Sequence, residues 1–408
     1  MTLTTKQEEG LKIAVQRYHD DEPYTIISGF AGAGKSTLIR FIIAALDIPE
    51  EDVIYIAYTG KAAEVLRHKG CPNAMTAHKF LYYSDRLPNG KFMFKPRKAL
   101  EFRPKIIVVD EVSMLPKSMW DLLLSHHIHV LACGDPGQLP PVNKDDLLTV
   151  LDDPHIFLDE IMRQAQESEI IRLSMDVRDG RPLQYFKGNE VQVIHPNEII
   201  TGMYDWADEI LTATNKKRQE INSFIREMKG YGDEPQVGDK VISLCNHWDC
   251  LDYSYENALI NGTIGYISEG NFPVTLDYFD PMQVPRQKSI PLWRLRETFP
   301  KPVPTMTADI VTETGERFGE ICMDYEALMT GKRCYTPQQE WYYAKFIDKD
   351  IQPYEFNYGY AITVHRAQGS EWDKVMVFEE NFPFDKEEHK KWLYTAVTRA
   401  SSRLVLVR

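Results

Sequence analysis

The chain has 408 residues, of which 43% are hydrophobic and 26% charged, a composition typical of a soluble globular protein with about two to four domains. Its six cysteines are too few for a disulfide scaffold, and we find neither a secretion signal nor an apolar stretch of the roughly 20 residues that span a membrane. The net charge of −13 argues weakly against a nucleic-acid-binding protein and leaves room for a local basic surface.

Short apolar runs alternate with helical segments along the first part of the chain. They occupy residues 24–28, 53–58, 105–110 and 129–134. Fully buried parallel strands have this composition, and strand–helix alternation predicts a doubly wound α/β sheet. A second alternation occupies residues 209–214, 360–364, 374–379 and 403–407. The sequence therefore predicts two α/β domains.

Two segments interrupt these alternations, and we interpret each as an insertion in one α/β domain. The short insertion covers residues 83–104 and the long one residues 266–352. The predicted first domain then comprises residues 1–82 and 105–188, and the predicted second domain comprises residues 189–265 and 353–408. The aromatic residues of the long insertion are more typical of a small core than of a base-stacking surface. They include Trp293, Trp341, Tyr342 and Tyr343.

A glycine-rich segment at residues 29–36 fits the G-x-x-x-x-G-K-S/T phosphate loop. It follows an apolar run and precedes a helix-like segment; the alternative is a glycine-rich turn that matches by chance. Glycines let backbone N–H groups approach phosphates, and a helix N-terminus adds partial positive charge. We expect Lys35 to reach the β- and γ-phosphates and the Ser36 hydroxyl to bind Mg²⁺. The predicted nucleotide-binding residues of this segment are Gly29, Gly32, Ala33, Gly34, Lys35, Ser36 and Thr37.

The short insertion is strongly basic, with six lysines and arginines against one glutamate between residues 86 and 103. Residues 88–90 read Pro-Asn-Gly, which predicts a tight turn. The alternation that follows places Phe92 and Phe94 on one face of a strand. Aromatic rings can stack on bases and lysines can contact phosphates. The alternative is a surface hairpin whose phenylalanines pack on the domain.

The apolar run at residues 106–109 ends in two carboxylates, Asp110 and Glu111. Reactive groups of open α/β sheets lie at the carboxyl ends of strands. We expect Asp110 to hold Mg²⁺ and Glu111 to orient and deprotonate an attacking water. A base beside the metal ligand favours hydrolysis over transfer to an organic acceptor. The alternative is a surface turn after a strand.

The order of these and further motifs resembles that of superfamily 1 helicases. The further segments are residues 3–7, 59–63, 76–79, 134–142, 158–164, 363–371 and 394–400. Residues 138–142 read Gln-Leu-Pro-Pro-Val, which is similar to the 5′→3′ branch and is shared by Pif1-like helicases. Residues 394–400 read Tyr-Thr-Ala-Val-Thr-Arg-Ala, which looks more like the RecD-like and Dda-like enzymes.

The resemblance implies two RecA-like P-loop NTPase domains with ATP and Mg²⁺ in the cleft between them. It implies that Gln7 reads the adenine and that Gln138 senses the γ-phosphate. Arg163 and Arg399 would be the two arginine fingers, for which the alternative is a structural ion pair. The resemblance also implies nucleotide contacts for Gly369 and Glu371.

The resemblance places DNA contacts in both domains. The implied residues are Thr59, Gly60, Lys61, Thr76, His78, Thr363 and His365. By position, the hairpin with Phe92 and Phe94 would be a strand-separating pin, and residues 266–352 would be an SH3-like insertion.

The implied activity is ATP-dependent 5′→3′ translocation on single-stranded DNA with unwinding of duplex DNA, in phage or bacterial replication, recombination or repair. The expected partners are single-stranded and forked duplex DNA, with a single-stranded DNA-binding protein or replisome components as candidates, and no membrane. The chain begins just before the first motif and ends eight residues after Ala400. This favours a stand-alone monomeric motor in the cytoplasm of a bacterial or phage-infected cell.

Several alternatives belong to other classes. A DNA-dependent translocase or a Pif1-like helicase could act as a subunit of a larger complex. A phosphate-loop kinase would need an acceptor-binding lid, where the resemblance implies a second motor domain. A degenerate DNA-binding scaffold would have lost Lys35, Asp110, Glu111 or Arg399, and all four are present.

Overall fold

The structure, a computed structural model, contains two compact units. The first comprises Met1–Tyr83, Pro96–Thr214 and Ile362–Arg408, and the second comprises Ser84–Lys95 and Asn215–Ala361. The described residues are 3–86, 92–100, 102–140, 146–162, 167–245, 247–254, 258–269, 275–279, 303–313, 315–331, 339, 353–381 and 385–408. Among them, no helix combines the length and the apolar character needed to cross a membrane.

The chain alternates strands and helices up to residue 178 and is richer in strands beyond it. The elements of the first part are α1 (Thr5–His19), β1 (Tyr24–Gly29), α2 (Lys35–Ala45), β2 (Val53–Ala57), α3 (Gly60–His68), β3 (Ala74–Thr76), α4 (Ala77–Leu81), β4 (Tyr82–Arg86), β5 (Phe92–Pro96), β6 (Ile106–Val109), α5 (Lys117–Leu124), β7 (His129–Gly134), β8 (Ile156–Leu158) and α6 (Glu169–Arg178). Those of the second part are β9 (Phe186–Lys187), β10 (Val191–Ile194), α7 (Gly202–Trp206), β11 (Glu209–Thr212), α8 (Asn215–Met228), β12 (Lys240–Ser243), β13 (His247–Leu251), β14 (Ala258–Leu259), β15 (Ile264–Ser268), β16 (Thr275–Phe279), β17 (Val303–Thr312), β18 (Arg317–Asp324), α9 (Tyr325–Thr330), β19 (Phe356–Tyr358), β20 (Ala361–Thr363), α10 (Val364–Ala367), β21 (Trp372–Phe378), α11 (Lys386–Val397) and β22 (Ala400–Val407).

The first sheet has the strand order β3-β2-β6-β7-β1-β8, and its strands are parallel. Neighbouring residues of β1 divide between two apolar clusters, with Ile27 in one and Ile26 in the other. Both faces of the sheet are therefore buried, as in other doubly wound sheets. Because β6, β7 and β1 are adjacent and parallel, the segments that follow them begin at the same carboxyl edge. We call this part of the first unit, up to residue 178, the first lobe.

The second sheet has the strand order β20-β11-β21-β22-β10-β9. Its pairs β11–β21, β21–β22 and β22–β10 are parallel, and the short edge strand β9 is antiparallel. The expectation of two doubly wound sheets is thus confirmed. We call the part of the first unit that carries this sheet, residues 186–214 and 362–408, the second lobe.

The second unit contains an antiparallel sheet in which β16, β17, β15, β12 and β19 are neighbours and β18 pairs with β17. Packing divides the chain differently from the predicted domains, because residues 215–265 and 353–361 lie in this unit. The reason is strand pairing: β12 lies between β15 and β19. The aromatic residues Trp293, Trp341, Tyr342 and Tyr343 lie outside the described residues.

Candidate nucleotide-binding site

The glycine-rich segment at residues 29–36 connects β1 to α2 through left-handed backbone. Gly32 and Gly34 have φ angles of 76° and 78°, which residues with a Cβ adopt only at a cost in free energy. Gly34 is also the N-cap of α2. A Cβ on Gly29 would lie 2.8 Å from the carbonyl oxygen of Leu158. A side chain at Gly29 or Gly34 would collide with neighbouring atoms, so the turn into the helix N-terminus requires glycine at both positions.

The lysine of this segment lies inside the turn. Lys35 Nζ donates to the carbonyl oxygens of Gly29 at 2.7 Å and Phe30 at 3.1 Å. Ser36 and Thr37 occupy the first turn of α2. The ammonium group and the helix N-terminus therefore lie at one edge of the first sheet, which is the arrangement that binds anions in other proteins.

Gln7 is buried against this turn. Its Oε1 accepts from the Thr4 backbone at 3.0 Å, and the Thr4 hydroxyl accepts from the Gln7 backbone at 3.3 Å, which caps α1. Its Nε2 donates to the Ala33 carbonyl at 3.2 Å. The structure thus brings the expected adenine-reading residue to the phosphate loop, while the adenine contact itself stays a prediction.

The acidic pair follows β6 at the same edge. Asp110 Oδ1 accepts from the Glu111 backbone at 3.0 Å and from the Cys133 thiol at 3.1 Å. Glu111 has left-handed backbone, with φ 48° and ψ 49°, which is rare outside glycine and costly for a side chain of this length. Such conformations persist where the surrounding structure imposes them and are frequent at functional sites.

Glu111 meets an arginine of the second lobe. Arg399 donates to Glu111 Oε1 at 3.4 Å and to the carbonyls of Ser370 at 3.2 Å and Thr395 at 3.1 Å. Within the described part of the chain, Glu111 Oε2 is buried and has no hydrogen-bond partner. Burial raises the pKa of Glu111, and the Arg399 charge opposes that rise. Two residues that were expected to serve the reaction are thus side by side.

The second lobe approaches through Gly369, whose φ is 77°. A Cβ there would lie 3.0 Å from the Thr59 hydroxyl and 3.3 Å from Glu111 Oε2. Glu371, an expected nucleotide ligand, is 38% exposed and pairs with Lys69 at 2.6 Å, and its nucleotide contact stays a prediction. The resemblance could not show this pairing, because Lys69 and Glu371 are 302 residues apart.

The segment at residues 135–139, which follows β7, is bonded to the second lobe by three side chains. The Tyr394 hydroxyl donates to Asp135 Oδ2 at 2.8 Å, the Thr395 hydroxyl accepts from the Leu139 backbone at 2.8 Å, and Gln368 donates to the Leu139 carbonyl at 2.7 Å. These three side chains had no predicted role, although the motifs that contain them were identified. Gln138, the expected γ-phosphate sensor, lies between the bonded residues.

Three threonines with expected DNA contacts are helix N-caps. The Thr59 hydroxyl accepts from the Ala62 backbone and the Thr76 hydroxyl from the Lys79 backbone, both at 3.2 Å. Thr363 caps α10 without a side-chain bond. A capping hydroxyl that accepts an amide proton still has its own proton to donate. These positions are therefore suited to phosphate oxygens, although the contacts themselves stay predictions.

The remaining expected DNA residues lie beside these helix starts. His78 follows Thr76, and its ring centroid is 5.9 Å from those of Tyr58 and Tyr82. Burial lowers the pKa of His78 and of His365, which favours the neutral form of both rings. Gly60 and Lys61 begin α3, where Lys61 lies 3.5 Å from Glu64.

Some predicted features lie outside the described residues. They are the Pro88–Gly90 turn, residues 141 and 142 of the coupling motif, Arg163, and the side chains of Phe92 and Phe94. The strands on either side of the turn, β4 and β5, pair as a two-stranded sheet. A hairpin is therefore present, and the direction of its aromatic face stays a prediction.

Comparison with known proteins adds two family matches. A family model described as an AAA domain matches residues 2–198, and one described as the UvrD-like helicase C-terminal domain matches residues 358–407. The ATP-dependent RecD2 DNA helicase of Deinococcus radiodurans is 25% identical over 93% of this chain and 46% of its own length. The ATP-dependent DNA helicase dda of Enterobacteria phage T4 is 24% identical over 59% of this chain and 60% of its own length. The chain thus spans about half of these two relatives.

Among solved structures, the chain is similar to a Pif1 helicase from Bacteroides in complex with ADP-AlF3 and single-stranded DNA. The TM-score is 0.52 at 16% identity, and the alignment covers 100% of this chain and 92% of the other. At this identity the similarity shows the fold alone. It agrees with the two doubly wound sheets of the first unit.

Proposed function

We propose that this chain is a superfamily 1 helicase of the RecD, Dda and Pif1 group and that it hydrolyses ATP to move along single-stranded DNA and to unwind duplex DNA. The observation that carries the proposal is that both lobes contribute to one buried site: Glu111 and Arg399 lie 3.4 Å apart. A nucleotide on the phosphate loop would hold the lobes together, and its hydrolysis would release them. A cycle of closing and opening of this kind can drive stepping along a strand.

The residues of the site divide the reaction between them. Lys35 and the backbone N–H groups of residues 32–35 bind and orient the β- and γ-phosphates. Glu111 orients the attacking water, and its free Oε2 accepts the water proton as the γ-phosphoryl group transfers to the water oxygen and ADP leaves. Because burial raises the pKa of Glu111, this carboxylate is a stronger base than an exposed one. Arg399 stabilises the negative charge that develops on the phosphoryl oxygens.

The donor atoms at the site fit Mg²⁺. Ser36 and Asp110 offer a hydroxyl and a carboxylate, the oxygen ligands that this ion prefers. Among the described residues, the hydrogen bonds to Asp110 go to Oδ1, which leaves Oδ2 for the metal. A bound Mg²⁺ ion would neutralise charge on the β- and γ-phosphates.

The proposed 5′→3′ direction of translocation rests on the amino-acid sequence of residues 138–142 and on the family. The test compares displacement of a labelled strand from duplexes with a 5′ or a 3′ single-stranded tail. We expect ATP-dependent displacement from the 5′-tailed duplex only. Lys35→Ala should abolish displacement and DNA-stimulated ATP hydrolysis, because it removes the cation from the phosphates. Lys105→Gln removes an exposed lysine that pairs with Asp52 and is the matched control. Displacement from the 3′-tailed duplex alone would contradict the assigned direction, and normal hydrolysis by Lys35→Ala would contradict the assigned site.

The hairpin β4–β5 is the proposed strand-separating element at forked DNA. If Phe92 and Phe94 stack on the first base pair, replacing both with alanine removes stacking worth about 1–3 kcal/mol per base. We expect DNA-stimulated ATP hydrolysis to stay near the wild-type rate while unwinding of a 5′-tailed duplex falls. Equal loss of both activities would indicate a role in gripping the tracking strand, and unwinding that survives would remove the hairpin from the mechanism.

For the location of the protein in the cell, we propose the cytoplasm.

A further inference from the structure

Tyr394 connects the phosphate loop to the segment that follows β7. It lies in α11 of the second lobe and is 2% exposed. Its hydroxyl oxygen accepts a hydrogen bond from the Ala31 backbone N–H at 2.8 Å, and its hydroxyl proton is donated to Asp135 Oδ2 at 2.8 Å. A phenol can accept and donate at once, so Tyr394 is the central member of a buried chain from Ala31 to Asp135.

The two ends of this chain belong to segments that face the nucleotide. Ala31 lies within the phosphate loop, the segment that we propose binds the phosphates. Asp135 Oδ1 accepts from the Gly137 backbone at 2.9 Å, so the same carboxylate fixes the turn that precedes Gln138. The Tyr394 ring also packs on that turn, because a Cβ on Gly137 would lie 3.0 Å from Cε1 of the ring.

The other side of Gln138 is fixed from the second lobe as well. The Leu139 N–H and C=O groups are bonded by Thr395 at 2.8 Å and Gln368 at 2.7 Å. Gln138 thus lies between backbone groups that are bonded, directly or through Asp135, by side chains of α11 and by Gln368, which follows α10. A rotation of the second lobe would displace this segment and the phosphate loop together. Hydrogen bonds in a buried chain polarise one another and tolerate little misalignment.

We propose that Tyr394 is a positioning residue that couples ATP hydrolysis to movement of the second lobe. Its hydroxyl fixes the position of the phosphate loop relative to Gln138. Hydrolysis changes the loop, and Tyr394 transmits that change to α11 and to the coupling segment. This inference rests on the proposed function of the site and adds a residue to it. Without the hydroxyl, ATP would still bind and turn over, but less of its hydrolysis would be converted into movement.

The test replaces Tyr394 with phenylalanine, which keeps the ring and its packing on Gly137 and removes both hydrogen bonds. We expect KM for ATP to stay near the wild-type value, kcat to fall about 3- to 30-fold, and duplex unwinding to fall further than kcat. The ATP consumed per base pair unwound should therefore rise. Tyr185→Phe is the matched control, since Tyr185 is an exposed tyrosine directly before the second lobe, and its hydroxyl donates to the Arg408 carbonyl at 3.3 Å.

A second variant approaches the same bond from the other side. Asp135→Asn weakens the acceptor of the Tyr394 hydroxyl. Because both substitutions act on the same hydrogen bond between Tyr394 and Asp135, the double variant should be little worse than the more severe single variant. A kcat and an ATP cost per base pair equal to those of Tyr185→Phe would overturn the proposal. So would equal falls in ATP hydrolysis and unwinding together with a lower Tm, because they indicate a structural role. The absence of DNA-stimulated ATP hydrolysis in the wild-type protein would instead overturn the proposed function itself.

Discussion

Both compact units bury an arginine beside a carboxylate, but they bond the pair differently. In the second unit, Arg226 donates to both oxygens of Asp239, at 2.9 and 3.2 Å. The Tyr360 hydroxyl and the Gln236 backbone also donate to this carboxylate, both at 2.9 Å. In the first unit, Arg399 reaches Glu111 at 3.4 Å, and Glu111 Oε2 is buried without a partner among the described residues.

The difference separates a structural pair from a reactive one. A buried ion pair with all its hydrogen bonds made is costly to break but has no capacity left for a ligand. A buried carboxylate with one free oxygen is destabilised in its charged form, and it can accept a proton or orient a water molecule. We therefore expect changes at Glu111 to affect turnover and changes at Asp239 to affect stability.

The largest effect is expected for Glu111→Gln. This substitution keeps the shape of the side chain and removes the base, so turnover should fall about 10²–10⁴-fold. The free energy of unfolding should be unchanged or higher, because a buried carboxylate with a raised pKa is removed. Steady-state ATP hydrolysis and thermal unfolding of the same preparation measure the two effects. A large loss of stability would place Glu111 with the structural pair and contradict the comparison.

Asp110→Asn provides the neighbouring contrast. Because Asp110 is the proposed Mg²⁺ ligand, this variant should weaken nucleotide affinity and raise the Mg²⁺ concentration required for activity. Glu111→Gln should bind ATP normally. If the two variants showed the same binding defect, the separate roles of the two carboxylates would be wrong.

The next prediction concerns Asp239→Asn, for which we expect a loss of stability. Breaking a buried pair by neutralising one partner leaves Arg226 uncompensated and should cost about 3–5 kcal/mol of unfolding free energy. ATP hydrolysis per folded molecule should stay near the wild-type value at a temperature below the transition. Denaturant unfolding followed by an ATPase assay measures both. A variant that keeps its stability but loses turnover would reverse the roles assigned to the two pairs.

The smallest effect concerns the pH dependence of turnover. Because burial raises the pKa of Glu111, the acidic limb of the kcat profile should lie above the pH at which an exposed glutamate titrates. The Arg399 charge lowers this pKa, so Arg399→Gln should raise it and move the limb to higher pH, in addition to lowering kcat. Lys105→Gln removes a charge from an exposed pair with Asp52 and should leave the limb in place. If the acidic limb did not move in Arg399→Gln, the Arg399 charge would not act on the pKa of Glu111, and the prediction would be wrong.

Features with local causes could be predicted from the sequence. The phosphate loop and the acidic pair each follow a continuous apolar run, and parallel strands necessarily present such ends at one edge. The two doubly wound sheets were predictable for the same reason. The left-handed backbone of Glu111 was not, because no glycine or asparagine marks the position and the surrounding fold imposes the conformation.

Contacts between distant segments could not be predicted from residue types. Ala31 and Tyr394 are 363 residues apart. Every residue type except proline has a backbone N–H group, so the identity of residue 31 does not indicate which side chain accepts its hydrogen bond. The same holds for Lys69 and Glu371, where the family motif suggested a nucleotide contact. The division into units also depends on long-range pairing, since β12 and β19 pair across more than one hundred residues.

The order of strands in the second sheet has a consequence for biosynthesis. β22 lies between β21 and β10, and Val191 in β10 pairs with Leu404 in β22. At about 5–20 residues per second, a ribosome needs about 10–40 s to make the chain between them. During that time the apolar β10 lacks its inner neighbour and is exposed to pairing with other chains. The second lobe is therefore the last part of the chain to complete its fold. Its newly synthesised strands are the segments that a chaperone would need to shield.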